Sequence, residues 1–265
     1  MPLMSVVIAA CDRPQTLPDT LRSVLAQTVA LEILVIDDSR TQSAEAVVRG
    51  IDDPRLRYVS NPTPTGGKPA VVRNIGLHLA QGEIIHFLDD DDLVAPGYYQ
   101  AALAAFAAAP NIGLVFGVIT PFGDDAETVA SERRYFAKVR SIARFCKMFG
   151  SRWGFAASQL FASTLLVCSA GLVRREHAMA VGGFNETMPL IEDVDFAMRV
   201  MRHGGARFLD RPAISYRIGP SLMRQANPRP LILQSSRIMH RRYIDEHGRL
   251  EYLALKILGK GALRW

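Results

Sequence analysis

Ile84-Ile85-His86-Phe87-Leu88-Asp89-Asp90-Asp91-Asp92 sets a short apolar run directly against four consecutive carboxylates. A run of this length bounded by polar residues reads as a buried strand. The switch from apolar to acidic occurs twice more upstream: Leu34-Val35-Ile36 runs into Asp37-Asp38-Ser39, and Ile8-Ala9-Ala10 into Cys11-Asp12-Arg13. Working outward, strands are expected at 4–10, 32–37, 56–59, 84–88, 112–119 and 164–173. A helix is expected over 14–27, opening at Pro14, and another over 69–81, opening at Pro69 and stopping at Gly82. Further helices fit near Gln42, near Pro96, over 124–150, and over 192–203 with Gly204-Gly205 as its stop. Alternating strands and helices specify an α/β fold, a Rossmann-like mostly parallel central sheet flanked by helices. In such sheets ligands bind beyond the carboxyl ends of the strands.

The bulk properties agree with one sizeable domain. The chain has 265 residues, 49% of them hydrophobic, enough to bury a large core. Its net charge of +5 is unevenly spread. Residues 1–198 carry 17 Lys/Arg against 22 Asp/Glu, and residues 199–265 carry 14 against 4. Pro and Gly at 212, 219, 220, 228 and 230 suggest a mobile connection to a basic helical piece around 231–258, dividing the chain into a domain at 1–217 and an appendage at 218–265. Three widely spaced cysteines suggest neither a disulfide framework nor a zinc site, and fit a reducing compartment. Leu3 to Ala10 has no basic lead-in and is too short for a signal-peptide core, so a cytoplasmic location is expected. Residues 153–173 lack charge but contain Gly154, Ser158, Gln159, Ser163, Thr164, Ser169 and Gly171, which reads as a buried loop and strand rather than a membrane span.

The acidic quartet is the strongest chemical signal. Four neighbouring carboxylates repel one another unless a cation or donor groups offset their charge. Helix capping explains one or two aspartates, not four. Mg²⁺ or Mn²⁺ takes oxygen ligands, often one or two carboxylates, and completes its shell with water and phosphate oxygens. Asp38 can be a turn or capping residue, or an acceptor for a nucleobase N–H. Glu192, Asp193 and Asp195 suit the positive end of a helix dipole, and equally suit catalysis. Trp153 and Phe155 are core aromatics or a platform for a sugar, and His86, inside an apolar run, is a packed core histidine.

Taken together, Ser5-Val-Val-Ile-Ala-Ala-Cys-Asp-Arg-Pro14, Leu21-Arg-Ser-Val-Leu-Ala-Gln-Thr28 and Glu32-Ile-Leu-Val-Ile-Asp-Asp-Ser39 resemble the opening of glycosyltransferase family 2. Gly67-Lys-Pro-Ala-Val-Val-Arg-Asn-Ile-Gly76 resembles its Ala-Arg-Asn-x-Gly segment, and Phe87-Leu-Asp-Asp-Asp-Asp92 its DxD metal motif. Gly182-Gly-Phe-Asn-Glu186, followed by Glu192-Asp193-Val-Asp195 and Arg199, resembles its acceptor-side motif. The resemblance implies a GT-A fold and an inverting transfer of a hexose from a nucleotide diphosphate sugar, UDP-linked by expectation, to a saccharide or lipid-linked hydroxyl. It implies that Asp38 contacts the base, that Lys68 and Arg73 lie near the base or diphosphate, and that Asp90 touches the ribose. Asp91 with Asp89 would hold Mn²⁺ or Mg²⁺, and Asp193 would be the general base. Glu192, Asp195, Trp153 and Arg217 are secondary or acceptor-side candidates.

The chain departs from the family in two places. Ala9, Cys11 and Asp12 occupy nucleotide-contact positions where Thr or Pro, then Tyr-Asn, are usual. Ile218-Gly219-Pro220-Ser221 replaces a lid histidine, leaving Arg217 or Arg224 to clamp the diphosphate or to be ordinary surface arginines. A nucleotidyltransferase or a dinucleotide-dependent dehydrogenase would need a glycine-rich loop after the first strand, and Ala9 to Arg13 contains no glycine. The remaining alternative is an inactive relative that binds nucleotide sugar or scaffolds an assembly. A bacterial polysaccharide pathway suits the transferase. No nucleic-acid partner is expected. The appendage either contacts the inner face of a membrane or packs on the domain or on a second copy.

Overall fold

The computed structural model describes residues 3–162, 164–219 and 228–262. β1 (Met4–Ala10), β2 (Leu31–Asp37), β3 (Leu56–Ser60) and β4 (Ile84–Asp89) lie parallel in the order β3-β2-β1-β4. β1 and β2 are almost wholly buried, which is why they read as continuous apolar runs rather than alternating ones. The connections are α1 (Leu17–Leu25), α2 (Glu45–Arg49) and α3 (Pro69–Leu79). Register brings the three acidic strand ends together, since Ala9 lies opposite both Ile36 and Asp89, and Ala10 opposite Asp37.

The sheet continues through β7 (Gly171–Arg174), β6 (Leu114–Phe122), β8 (Ala206–Arg217) and the two-residue β5 (Leu93–Val94). β7 runs antiparallel to both β4 and β6, β8 is parallel to β6, and β5 is antiparallel to β8. One face of the sheet packs Val7, Leu34 and Phe87 against α3, α5 (Ala126–Cys146) and α8 (Glu192–Gly204). The other packs Val6, Ile8 and Ile33 against α1 and α4 (Tyr98–Ala107). α7 (Arg175–Ala180) follows β7. A third apolar cluster joins α6 (Trp153–Phe161) and α8 to α9 (Arg229–His247) and α10 (Arg249–Ala262) through Ala157, Met198, Met239, Tyr243 and Leu255.

Four expectations need correction. Residues 153–161 form a helix, not a loop, and Gly154 to Leu160 are all buried, so no polar face exists to give a helical period. The strand expected over 164–173 is confined to Gly171–Arg174, after a single 3-10 turn at Cys168–Ala170. Gly82 is not the cap of α3, which ends at Leu79 with Ala80 extended. A Cβ on Gly82 would stand 2.5 Å from Ser5 N, so the glycine serves the close approach of this turn to β1. Pro212 lies inside β8 rather than in a connection, at the register shift where it faces Val118, a place that tolerates a missing N–H. The expected connection at 218–230 falls largely at 220–227, outside the described residues.

Candidate active site

The joined ends of β1, β2 and β4 form one wall of a cavity of about 490 Å³. Ala9, Cys11, Arg13 and Asp38 line that wall, Arg73 and Asp89 its floor, and Glu192 and Asp193 the far side. Asp38 is buried, and its carboxylate accepts from Asn61 Nδ2 (2.7 Å), Thr65 N (2.9 Å), Thr65 Oγ1 (2.6 Å) and Gly67 N (3.1 Å). Four donors fill its lone pairs, so Asp38 shapes the 61–67 loop, and a base N–H would have to displace one of them. Lys68 is exposed and precedes α3, with its amide donating to Thr65 Oγ1.

The quartet divides into two buried and two more open carboxylates at the turn that follows β4. Asp90 and Asp92 are buried at 1% and 0% exposure, and each is held by a backbone amide, Cys11 N to Asp90 Oδ2 at 3.1 Å and Arg217 N to Asp92 Oδ1 at 2.9 Å. Burial pushes the Asp90 carboxyl up to about 7 against the opposing pull of Arg13, and pushes Asp92 well above the usual carboxylate range. Asp89 and Asp91 are more open. Arg73 Nη2 sits 2.7 Å from Asp89 Oδ1, and Arg13 Nη1 donates to Asp91 while its Nε lies 3.4 Å from Asp90. Arg217 completes this loop by donating Nε to the Asp91 carbonyl at 2.9 Å. Asp12 adopts a left-handed φ of 52°, turning the chain beside Cys11, and is itself exposed. Burial, then Asp12 and Asp38, raise the Cys11 thiol to about 11, so it carries no thiolate chemistry at neutral pH.

Arg73 spans the floor. Its side chain is buried, with Nη1 2.7 Å from Glu192 Oε1 and Nη2 on Asp89, so one guanidinium ties the end of β4 to the start of α8. Next to Glu192, Asp193 accepts only the amide of Val194, at 2.9 Å, and forms no ion pair among the described residues. Burial and the neighbouring Glu192 raise its carboxyl to about 7 while Arg73 draws it down. Ile191, immediately before it, has φ 54°, an outlying conformation for a β-branched residue of the kind that clusters at functional sites.

Of the expected residues, Asp12, Lys68, Asp90, Asp91, Trp153, Asp195 and Arg217 are not among those that line the cavity. Asp195 is fully buried in ion pairs with Arg199 (2.8 Å) and Arg242 (3.4 Å), on the side of α8 that does not line the cavity. Trp153 does not line the cavity either; its ring carries the Arg202 guanidinium at 4.6 Å. Arg224 falls outside the described residues. His86 is a core histidine, with its ring nitrogens 2.8 Å from Tyr99 Oη and 2.7 Å from Ser169 O, and burial holds it down at about 4. Sequence reasoning assigned no role to Arg13, and missed Glu132, Tyr135 and Phe136 from α5, Thr164, Val167 and Cys168, and Tyr216 from β8, all of which line the cavity. An adjacent Tyr-Phe pair in a charged helix was the only available signal for the α5 group.

Asp89 and Asp91 are hard oxygen donors at 30% and 16% side-chain exposure, and guanidinium cations offset them here. Among the described residues, no three His, Cys, Asp or Glu side chains gather into a metal cage. The chemistry of Asp89 and Asp91 suits Mg²⁺ or Mn²⁺, which take oxygen ligands, often one or two carboxylates with water and phosphate oxygens completing the shell.

The mixed α/β sheet flanked by helices has the fold of solved GT-A glycosyltransferases. The S. aureus TarS 1-349 crystal structure in complex with UDP-GlcNAc matches with a TM-score of 0.71 at 18% identity over 98% of this chain and 71% of that one. The mannosyltransferase PcManGT from Pyrobaculum calidifontis, in complex with GDP-Man and Mn²⁺, matches with a TM-score of 0.62 at 18% identity over 100% of this chain and 81% of that one. The family model described as Glycosyl transferase family 2 matches residues 5–163, and the chain belongs to that family. Validoxylamine A glucosyltransferase of Streptomyces hygroscopicus subsp. jinggangensis is 38% identical over 121 residues, 44% of this chain and 28% of that protein. The GalNAc(5)-diNAcBac-PP-undecaprenol beta-1,3-glucosyltransferase of Campylobacter jejuni is 35% identical over 122 residues, 44% of this chain and 38% of that protein. The matches thus span well under half the length of these relatives.

Proposed function

We propose that the chain moves a hexose from a nucleotide diphosphate sugar, UDP-linked by preference, to a hydroxyl of a saccharide or lipid-linked acceptor, with inversion at the anomeric carbon. The observation that carries this reading is one cavity lined by Asp89, the first carboxylate of the quartet, and by Asp193, which forms no ion pair among the described residues. Asp193 takes the proton of the attacking hydroxyl. One of its oxygens is fixed by Val194 N–H and the other is left for the acceptor, and a carboxyl near 7 is half ionised at neutral pH, close to the optimum for a base. Glu192, neutralised by Arg73, keeps the carboxyl of Asp193 high without competing for the same proton. A divalent ion on Asp91 and Asp89 would stabilise the charge that develops on the departing diphosphate. Arg13 lies on Asp91 and must swing aside to admit that ion. Residues 1–217 form the catalytic unit in this reading and 218–265 its appendage. Relatives named for glucosyl transfer, one of them to an undecaprenol-linked saccharide, and a structural neighbour holding UDP-GlcNAc support the donor and acceptor classes.

The test is a melting-temperature panel of UDP-, GDP-, dTDP- and CDP-sugars with and without Mn²⁺, followed by donor consumption in the presence of saccharide and polyprenyl-linked acceptors. One base should dominate, with a shift that needs Mn²⁺, and the matching donor should be consumed. A donor that binds and is never cleaved with any acceptor would instead identify a nucleotide-sugar-binding scaffold.

A further inference from the structure

α10 is fixed on one side and bare on the other. Leu255 is fully buried, and Gly259 lies so close to α6 that a Cβ there would stand 2.6 Å from the Ala157 carbonyl oxygen and 2.7 Å from Phe161 Cβ. Glu251 accepts from Arg202 and from Tyr243 Oη (2.6 Å), which pins the first turn. These contacts set the rotation of the helix. At about 100° per residue the opposite arc holds Leu250, Leu253 and Ile257, which are 87%, 52% and 76% exposed. Arg249, Lys256 and Lys260 are exposed along one flank of that arc, and among the described residues none of the three pairs with an acid.

We propose that this face of α10 rests on a lipid bilayer bearing anionic headgroups. Three aliphatic side chains offer far less than the ~800 Å² per partner of a stable protein interface, and protein interfaces are depleted in lysine while this stripe is bordered by it. An apolar row beside a basic row is the pattern of a helix lying in the interface plane, with aliphatic tips at the acyl boundary and ammonium groups among the headgroups. The charge bias agrees, since residues 199–265 carry 14 Lys/Arg against 4 Asp/Glu. The inference stands apart from the transferase reading, because membrane contact needs neither donor nor catalysis. If both hold, the third apolar cluster, which joins α10 to the helix bearing Asp193, keeps the cavity at a constant height above the bilayer.

The test is cosedimentation of the full chain with vesicles of mixed phosphatidylglycerol and phosphatidylcholine, and with phosphatidylcholine alone. The wild type should sediment with the anionic vesicles and stay in solution with the neutral ones. The triple variant Leu250→Ser, Leu253→Ser, Ile257→Ser should lose binding by about tenfold or more, and Lys256→Glu with Lys260→Glu by about fivefold per residue. Met148→Ser, which removes an apolar side chain 72% exposed outside α10, should bind as wild type. All of these positions are exposed, so unchanged melting temperatures show that the variants fold. Equal sedimentation of wild type and triple variant, or equal binding to both vesicles, would overturn the proposal. So would a wild-type dimer that the triple variant converts to monomer, which would assign the stripe to a second copy of the chain.

Discussion

Two acidic runs reach the cavity, Asp89 to Asp92 through Asp89 and Glu192 to Asp195 through Glu192 and Asp193, and they partition their charge by different rules. On the strand-end loop the side chains alternate. Asp90 and Asp92 turn inward and are held by backbone amides, while Asp89 and Asp91 turn outward onto Arg73 and Arg13. On α8 the spacing is helical, so Glu192 and Asp195 diverge, one onto Arg73 and the other onto Arg199 and Arg242. Asp193, between them, has a single amide as its partner among the described residues. On the loop the two outward carboxylates, Asp89 and Asp91, are each compensated by an arginine, whereas Asp92, like Asp193 at the helix start, is held by a backbone amide and has no ion pair among the described residues. A compensated carboxylate can trade its arginine for another cation, whereas an uncompensated, desolvated one is poised to bind a proton.

The sharpest way to break this contrast is to remove charge on α8. Asp193→Asn should lower the rate of sugar transfer by ~10²- to 10⁴-fold while leaving the melting temperature equal or higher, because it deletes a half-buried carboxylate that has no ion pair among the described residues. Asp195→Ala should do the opposite. Leaving Arg199 buried without its partner should cost about 3 kcal/mol in chemical denaturation, with KM for donor unchanged in the protein that remains folded.

The pH dependence tests the same assignment at a smaller scale. Transfer should rise about tenfold between pH 6 and 8 as Asp193 ionises, following its carboxyl at about 7. Its effect on stability has the reverse sign. A carboxyl raised in the folded state contributes stability that is fully present below the unfolded value of 3.8 and is lost as pH rises through about 7. Asp193→Asn should therefore flatten the stability profile between those values. The smallest effect concerns the loop: Arg13→Gln should strengthen Mn²⁺ binding without donor by about fivefold, read by melting temperature, since it removes the cation resting on Asp91. No change would mean that Arg13 and a metal do not compete there.

Much of the donor side was legible because its chemistry sits where strands end, and strand ends show as a switch from apolar to acidic residues, as at Leu88-Asp89 and Ile36-Asp37. The acceptor side was harder to read. α6 is buried from Gly154 to Leu160 and gives no period, the apolar pattern of β8 is broken by exposed Asp210-Arg211-Pro212, and Tyr135 and Phe136 reach the cavity from a helix whose other residues are mostly charged or small. Asp193 and Asp195 are two residues apart and indistinguishable as letters. Only the turn of α8 separates a residue facing the cavity from one locked among arginines. Gly82 shows the same limit, because a helix-stop signal and a point of backbone contact use the same residue.

Arg73 holds Asp89 with one nitrogen and Glu192 with another. A guanidinium shared in this way makes the two ends of the site communicate, and thermodynamic linkage makes the conversation symmetric. Whatever cation draws Asp89 away frees Arg73 to lean toward Glu192, and so alters the proton affinity of its neighbour Asp193. By the same amount, protonating Asp193 must retune the grip of the opposite end on its charge.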